Sequence, residues 1–167
     1  MRAIVNVTPS WGIGFEQNLL VQIHADMRRF RALTQNNTII IGRKTMETFP
    51  NGKPLKNRDN IVLTHNPDFQ AEGAIVCHDL SELKDVLKDR DPDSVYACGG
   101  EHVYRLLLPY CTEALVTLTY RNLSADRFFP NLNLLSDWSL TEIGEKQWEG
   151  ETAFRYLTYR NMNVEAL

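Results

Sequence analysis

Short β-branched runs recur along this chain: AIVNVT (3–8), TIIIG (38–42), NIVLT (60–64), AIVCH (74–78), SVYACGG (94–100) and ALVTLTY (114–120). TIIIG, NIVLT and ALVTL are almost wholly apolar, the pattern of strands buried on both faces. Between the runs lie segments with helical spacing: IHADMRRFRALT, KTMETF, DLSELKDVLKDR and EHVYRLLLPY. In DLSELKDVLKDR, Asp79 or Ser81 stands where a cap is needed, and Leu80, Leu83, Val86 and Leu87 share one face. A chain that alternates in this way must cover a largely parallel sheet on both sides. The tail breaks the rhythm. WSLTEIG (138–144) and TAFRYLTYR (152–160) are joined by EKQWEGE with no helix between, so they read as an antiparallel hairpin on the sheet edge. The expected fold is α/β: a mostly parallel central sheet of about eight strands, an antiparallel C-terminal hairpin and about four helices on both faces.

At 167 residues the chain has the length of one domain, 1–167. Its net charge of −3 offers no basic field to nucleic acid or to an anionic membrane. The opening MRAIVNVTPSWG holds one Arg and a short apolar run broken by Asn6, too short for a signal peptide or a membrane span. Cys77, Cys98 and Cys111 are odd in number and contain no CxxC pair, which points to a reduced, cytoplasmic protein. His24, His65, His78 and His102 show no HxH or HExxH spacing, and no metal site is expected. No exposed apolar stripe demands a partner subunit, so the expectation is a monomer.

In open α/β sheets ligands bind beyond the carboxyl ends of the strands, so strand-to-helix turns come first. TIIIG ends at Gly42 and runs into Arg43, Lys44 and Thr45, while SVYACGG ends at Gly99-Gly100 and runs into EHVYRLLL. A tight glycine turn opening a helix suits phosphate; read singly, either turn is equally well a plain turn with solvated cations. Two such turns feeding one sheet favour an extended phosphorylated ligand such as a dinucleotide. Neither completes GxGxxG or GxxxxGK[ST]. The stretch WGIGFEQNLLV (11–21) is either a mobile loop, folding Ile13, Leu19, Leu20 and Val21 over a planar ligand, or an ordinary apolar crossover.

IHADMRRF (23–30) carries the sharpest anomaly. Ile23, Met27 and Phe30 mark one helix face; Asp26 lands on that face, while Arg28 and Arg29 point the other way. Asp26 is a helix cap, a buried structural acid, or the single charge of an apolar ligand pocket, where the ligand would supply the N–H donors a buried carboxylate needs. Arg58, just before NIVLT, is placed to pin a carboxylate or is a surface arginine. Thr117 is a hydroxyl in an apolar strand, free to bridge to a neighbouring carboxylate or to bond its own backbone.

WGIG, L-L-x-x-I-x-x-D-M-x-x-F, IIIGRKTMETF, PLKNRDNIVLT, GGEHVY and D-x-F-F-P (126–130) follow one another along essentially the whole chain, and this ordered set resembles the dihydrofolate reductases of the bacterial, chromosomal type. The resemblance implies reduction of 7,8-dihydrofolate to tetrahydrofolate by hydride transfer from NADPH. It implies that Asp26 pairs with the pterin's ring N–H and amino group, with Thr117 as its hydroxyl partner. Ile4, Val5, Val21, Met27, Phe30, Phe49 and Leu55 would line the substrate pocket, and Arg58 would hold the glutamate α-carboxylate. Gly99 and Gly100, with Arg43, Lys44 and Thr45, would cradle the NADPH phosphates, and Thr64, His65 and His102 would meet the adenosine 2′-phosphate. Asn6, Ile13, Gly14, Leu19, Gly42, Leu63, Cys98, Glu101, Val103 and Tyr104 complete the cofactor contacts it implies. The chain departs from the common family pattern at Leu20-Val21, where Pro-Trp is usual, at His24, where Pro is usual, and at Asn6, which replaces a small residue. Two other functions fit parts of the pattern: a same-fold pterin or pyrimidine reductase, and a non-catalytic nucleotide-binding domain.

Overall fold

The computed structural model describes residues 1–167. In chain order the first half holds β1 (Arg2–Val7), β2 (Gly12–Phe15), β3 (Asn18–Leu19), α1 (His24–Thr34), β4 (Thr38–Gly42), α2 (Arg43–Glu47), β5 (Asp59–Leu63) and β6 (Ala74–Cys77). The second half adds α3 (Leu80–Leu87), β7 (Val95–Ala97), α4 (Glu101–Leu107), β8 (Glu113–Thr119), β9 (Arg127–Phe128), β10 (Trp138–Ile143), β11 (Gln147–Glu149) and β12 (Thr152–Asn161). The central sheet runs β10-β12-β8-β1-β7-β4-β5-β6, with β11 pairing beside β10 on β12. Pairings from β8 through β6 are parallel, and β12 and β10 are antiparallel, as the tail predicts.

The alternation of strand side chains divides the core in two. Ala3, Val5, Val7, Ile40, Ile61, Ala114 and Val116 pack with Leu83 of α3 and Val103, Tyr104 and Leu107 of α4. Ile4, Ile39, Ile41, Val62 and Leu115 pack on the other face with Met46 of α2, and Phe30 and Leu33 of α1 lie against them. Burying Ile39, Ile40 and Ile41 completely, on both faces, contributes about 1.5–3 kcal/mol each and explains why TIIIG sits at the sheet's centre. Asp79 is the α3 cap, accepting from the Glu82 N–H at 2.8 Å.

Several expectations are corrected. Residues 11–21 are largely strand rather than loop: β2 pairs with β3 and β9 in a small antiparallel sheet. Trp11 is buried, stacked 6.1 Å from Phe129, and a side chain at Gly12 would meet Ala125 Cβ at 2.6 Å, so close packing pins the start of this segment. Asp26 is not the cap of α1, because Ile23 holds the cap position and Asp26 lies in the first turn. Met27 is 52% exposed while Ile23 is buried and Phe30 packs on the core, so only the middle of the apolar stripe of α1 is left open. Arg29 does not point away; its guanidinium covers the Tyr156 ring at 4.1 Å. Val5 faces the cluster opposite to Ile4, which removes its side chain from the Asp26 side.

Candidate active site

The strand connections place the cleft. From β1 the chain crosses by α1 to β4, and from β7 it crosses by α4 to β8 in the opposite direction, though β1 and β7 are neighbours. In such sheets the usual ligand position is the crevice beyond their carboxyl ends. Two hollows, of about 300 Å³ beside Trp11 and Leu157 and about 500 Å³ beside Met1 and Leu167, are lined by neither Asp26 nor the glycine turns.

Asp26 projects from α1 over the ends of β1 and β8, which are in register at Asn6 and Thr117. Thr117 Oγ1 donates to Asp26 Oδ1 at 2.5 Å, and Asn6 Nδ2 donates to Oδ2 at 3.1 Å. An ionised carboxylate has about four acceptor positions, so each oxygen keeps one for a ligand. Burial pushes the Asp26 carboxyl above its ordinary value; the bonds from Thr117 and Asn6 and the charge of Arg29 oppose that shift without cancelling it. Thr117 is buried, so its hydroxyl is committed to this acid rather than to water. The surroundings can hold a planar heterocycle by a pair of N–H···O bonds in a site that is partly dry.

The helix that carries Asp26 is anchored from the far end of the chain. Ile23 supplies no side-chain cap, and the Glu149 carboxylate accepts from the N–H groups of His24 at 2.8 Å and Ala25 at 3.1 Å instead. These bonds hold the Glu149 carboxyl below its usual range, the His24 bond most strongly. Proline has no N–H to give, so histidine at 24 is what admits this anchor. No local pattern marks Glu149 for this role, because the contact spans 125 residues.

The apolar wall is formed by Ile4, Phe30, Phe49 and Leu55, which belong to or pack on one core cluster, and half-buried Val21 borders α1. Arg58 stands at its outer edge: Nε donates to Thr34 Oγ1 at 3.1 Å and Nη1 to the Lys56 carbonyl at 2.9 Å. No carboxylate of the chain pairs with it, which leaves a held cation for an incoming one.

Across the crevice the two glycine turns touch. The Gly42 N–H donates to the Gly99 carbonyl at 2.8 Å, and the Cys98 N–H donates to the Ile40 carbonyl at 2.9 Å. Gly99 has φ +113° and lies over the Tyr104 ring, where a side chain would sit 3.2 Å from it; at Gly100 one would sit 3.3 Å from Thr45 Oγ1. Arg43, tied to Glu47 at 2.9 Å, exposed Lys44 and half-buried Thr45 open α2 beside this pair. Farther out, the rings of His65 and His102 stand 5.7 Å apart beside Thr64, joining the ends of β5 and α4. The cradle that side chains would fill, with cations beside it and a histidine pair at the ends of β5 and α4, fits a dinucleotide that carries phosphates.

Other expected cofactor residues take structural places. Leu63, Val103 and Tyr104 are buried in the core, and Tyr104 donates its hydroxyl to the Ile4 carbonyl at 2.7 Å. Glu101 accepts from the Phe128 N–H at 2.9 Å, fastening β9 to the start of α4. Half-buried Cys98 packs on the substrate-side cluster, and burial pushes its thiol well up. Ile13 and Gly14 lie on β2, and Leu19 on β3 is exposed. Asn6, expected on the cofactor side, turns its amide to Asp26. Arg29 and Tyr156, missed in the sequence, flank the acid.

The family model described as dihydrofolate reductase matches residues 1–161. A dihydrofolate reductase of Bacillus subtilis (strain 168) is 32% identical over 153 residues, covering 90% of this chain and 88% of that protein. One of Staphylococcus aureus (strain Mu50 / ATCC 700699) is 30% identical over 133 residues, 80% of this chain and 79% of that one. Among solved structures, a dihydrofolate reductase from Enterococcus faecalis, complexed with NADP(H) and RAB-propyl, superposes with a TM-score of 0.84 at 32% identity, covering 96% of this chain and 95% of that chain.

Proposed function

The chain belongs to the dihydrofolate reductase family, an NADPH-dependent reductase of dihydrofolate, and on that premise we propose that Asp26 is the acid that holds and polarises the pterin ring. The observation that carries this is the half-buried carboxylate with one acceptor position open on each oxygen, over the carboxyl-end halves of β1 and β8. The pterin's ring N–H and amino group supply the two missing donors, which fixes the ring against Ile4, Phe30, Phe49 and Leu55. Thr117 holds Asp26 Oδ1 as the ring arrives. Asp26's charge, little screened in a partly dry site, favours the protonated pterin that accepts a hydride. Arg58 takes the glutamate α-carboxylate at the mouth.

NADPH supplies the hydride when bound. Gly99, Gly100, Arg43, Lys44 and Thr45 would hold its phosphates, and Thr64, His65 and His102 its 2′-phosphate, which selects NADPH over NADH. β2 and β3, paired with each other, would border the nicotinamide and limit water there. The chain acts as a single catalytic domain and a monomer in the cytoplasm; no helix is long and apolar enough to cross a membrane.

Oxidation of NADPH by the purified protein, followed by absorbance, tests this directly. The expected result is rapid oxidation with 7,8-dihydrofolate and almost none without it. Oxidation only with another pterin or a pyrimidine would assign a same-fold reductase, and NADPH binding without turnover would assign a nucleotide-binding domain.

A further inference from the structure

Asn6 closes a hydrogen-bond chain that substrate binding alone does not require. Thr119 Oγ1 donates to Asn6 Oδ1 at 2.7 Å, and Asn6 Nδ2 donates to Asp26 Oδ2 at 3.1 Å. The orientation of the amide is forced: an ionised carboxylate only accepts, so the NH₂ must face Asp26 and the carbonyl must face Thr119. Thr119 is fully buried, so its hydroxyl has no water to turn to. Asn6, Thr117 and Thr119 share one face at the ends of two paired strands, which makes the whole support rigid.

We propose that Asn6 is a positioning residue for the reduction: with Thr119 behind it, its amide fixes the rotation of the Asp26 carboxylate and favours its charged form, so that both oxygens meet the pterin N–H pair together. The inference rests on Asp26 being the substrate-holding acid. Thr117 grips Oδ1 and Asn6 grips Oδ2; with one grip removed, the carboxylate is free to turn about its Cβ–Cγ bond. The other charged or titratable groups that face Asp26 are Arg29 on α1, Tyr156 on β12 and Tyr104 on α4. Arg29 is engaged over the Tyr156 ring and Tyr104 with the Ile4 carbonyl, while Glu149 on β11 is turned to the α1 N-terminus. None of these replaces the amide as a donor to Oδ2.

The test is an NMR titration of isotope-labelled aspartate carboxyls in the ligand-free protein, with the Asp26 resonance assigned by its loss in Asp26→Asn. Asn6→Ala is expected to raise the Asp26 midpoint by about one pH unit, and Thr119→Val by less in the same direction. The pH profile of kcat/KM for dihydrofolate should move with it. An unchanged or lowered midpoint in both variants overturns the proposal, and Thr119→Val keeps it testable if Asn6→Ala fails to fold. Failure of the Asp26 reading itself would show separately, as normal turnover in Asp26→Asn.

Discussion

Replacing Arg58 with leucine is expected to weaken dihydrofolate binding by roughly 30- to 1,000-fold and to leave NADPH affinity within about twofold. The guanidinium is braced before any ligand arrives, by Thr34 Oγ1, by the Lys56 carbonyl and by the Phe30 ring 6.0 Å away. A braced cation loses little freedom on binding. A carboxylate docking on it gains about two charge-assisted hydrogen bonds of about 1.5–3 kcal/mol each. Solvent competition at a half-exposed position returns part of this, leaving about 2–4 kcal/mol. Burial lowers the Arg58 pKa, yet a guanidinium stays charged across the working range. The substitution spares the fold, since Thr34 still donates to the Phe30 carbonyl at 2.7 Å and Lys56 is exposed to water. The assay compares kcat/KM for dihydrofolate with that for a dihydropterin lacking the glutamate tail, in both proteins. The loss should fall on the tailed substrate alone. Equal losses on the two substrates, or an equal loss of NADPH affinity, would refute the reasoning.

Thr117→Val removes the donor to Asp26 Oδ1 with little change of volume, and kcat/KM for dihydrofolate should fall by about 10- to 100-fold at unaltered NADPH affinity. Asp26→Asn should be more stable than the parent at neutral pH. Because the folded-state pKa of Asp26 is raised, the folded protein binds its proton more tightly than the unfolded chain, so stability falls as pH rises from the ordinary carboxylate value through the raised one. Thermal melts of the ligand-free proteins should therefore diverge toward neutral pH and converge in acid; a parent that is the more stable at neutral pH would contradict this. His65→Ala with His102→Ala should narrow the preference for NADPH over NADH. An unchanged ratio of the two Kd values in that double variant would argue against the histidine pair.

Much of the fold is legible because its signals are local. TIIIG and NIVLT declare buried strands, Asp79 declares a cap, and the lack of a helix between WSLTEIG and TAFRYLTYR declares the hairpin. The family motifs point to the acid, the arginine and the glycine pair. What escaped the sequence depends on contacts between distant segments. Gly12 and Gly14 look like loop residues, and only the approach of Ala125 and the pairing with β9 make this stretch a strand. Asp26 looks like a cap because the true cap, Glu149, comes from another part of the chain. Arg29 sits outward by helical count, yet Tyr156 draws it back across the helix. Thr119 was within reach: it lies two residues beyond Thr117 in a strand, hence on the same face, next to Asn6.

The most direct measurement is single-turnover hydride transfer from NADPH to dihydrofolate in Asp26→Asn at neutral pH. Loss of two charge-assisted hydrogen bonds to the reacting ring, about 3–6 kcal/mol, predicts a fall in the transfer rate at subsaturating dihydrofolate of roughly 100- to 10,000-fold, with NADPH binding retained. Turnover close to that of the parent would show that Asp26 does not hold the pterin and would contradict the account at its centre.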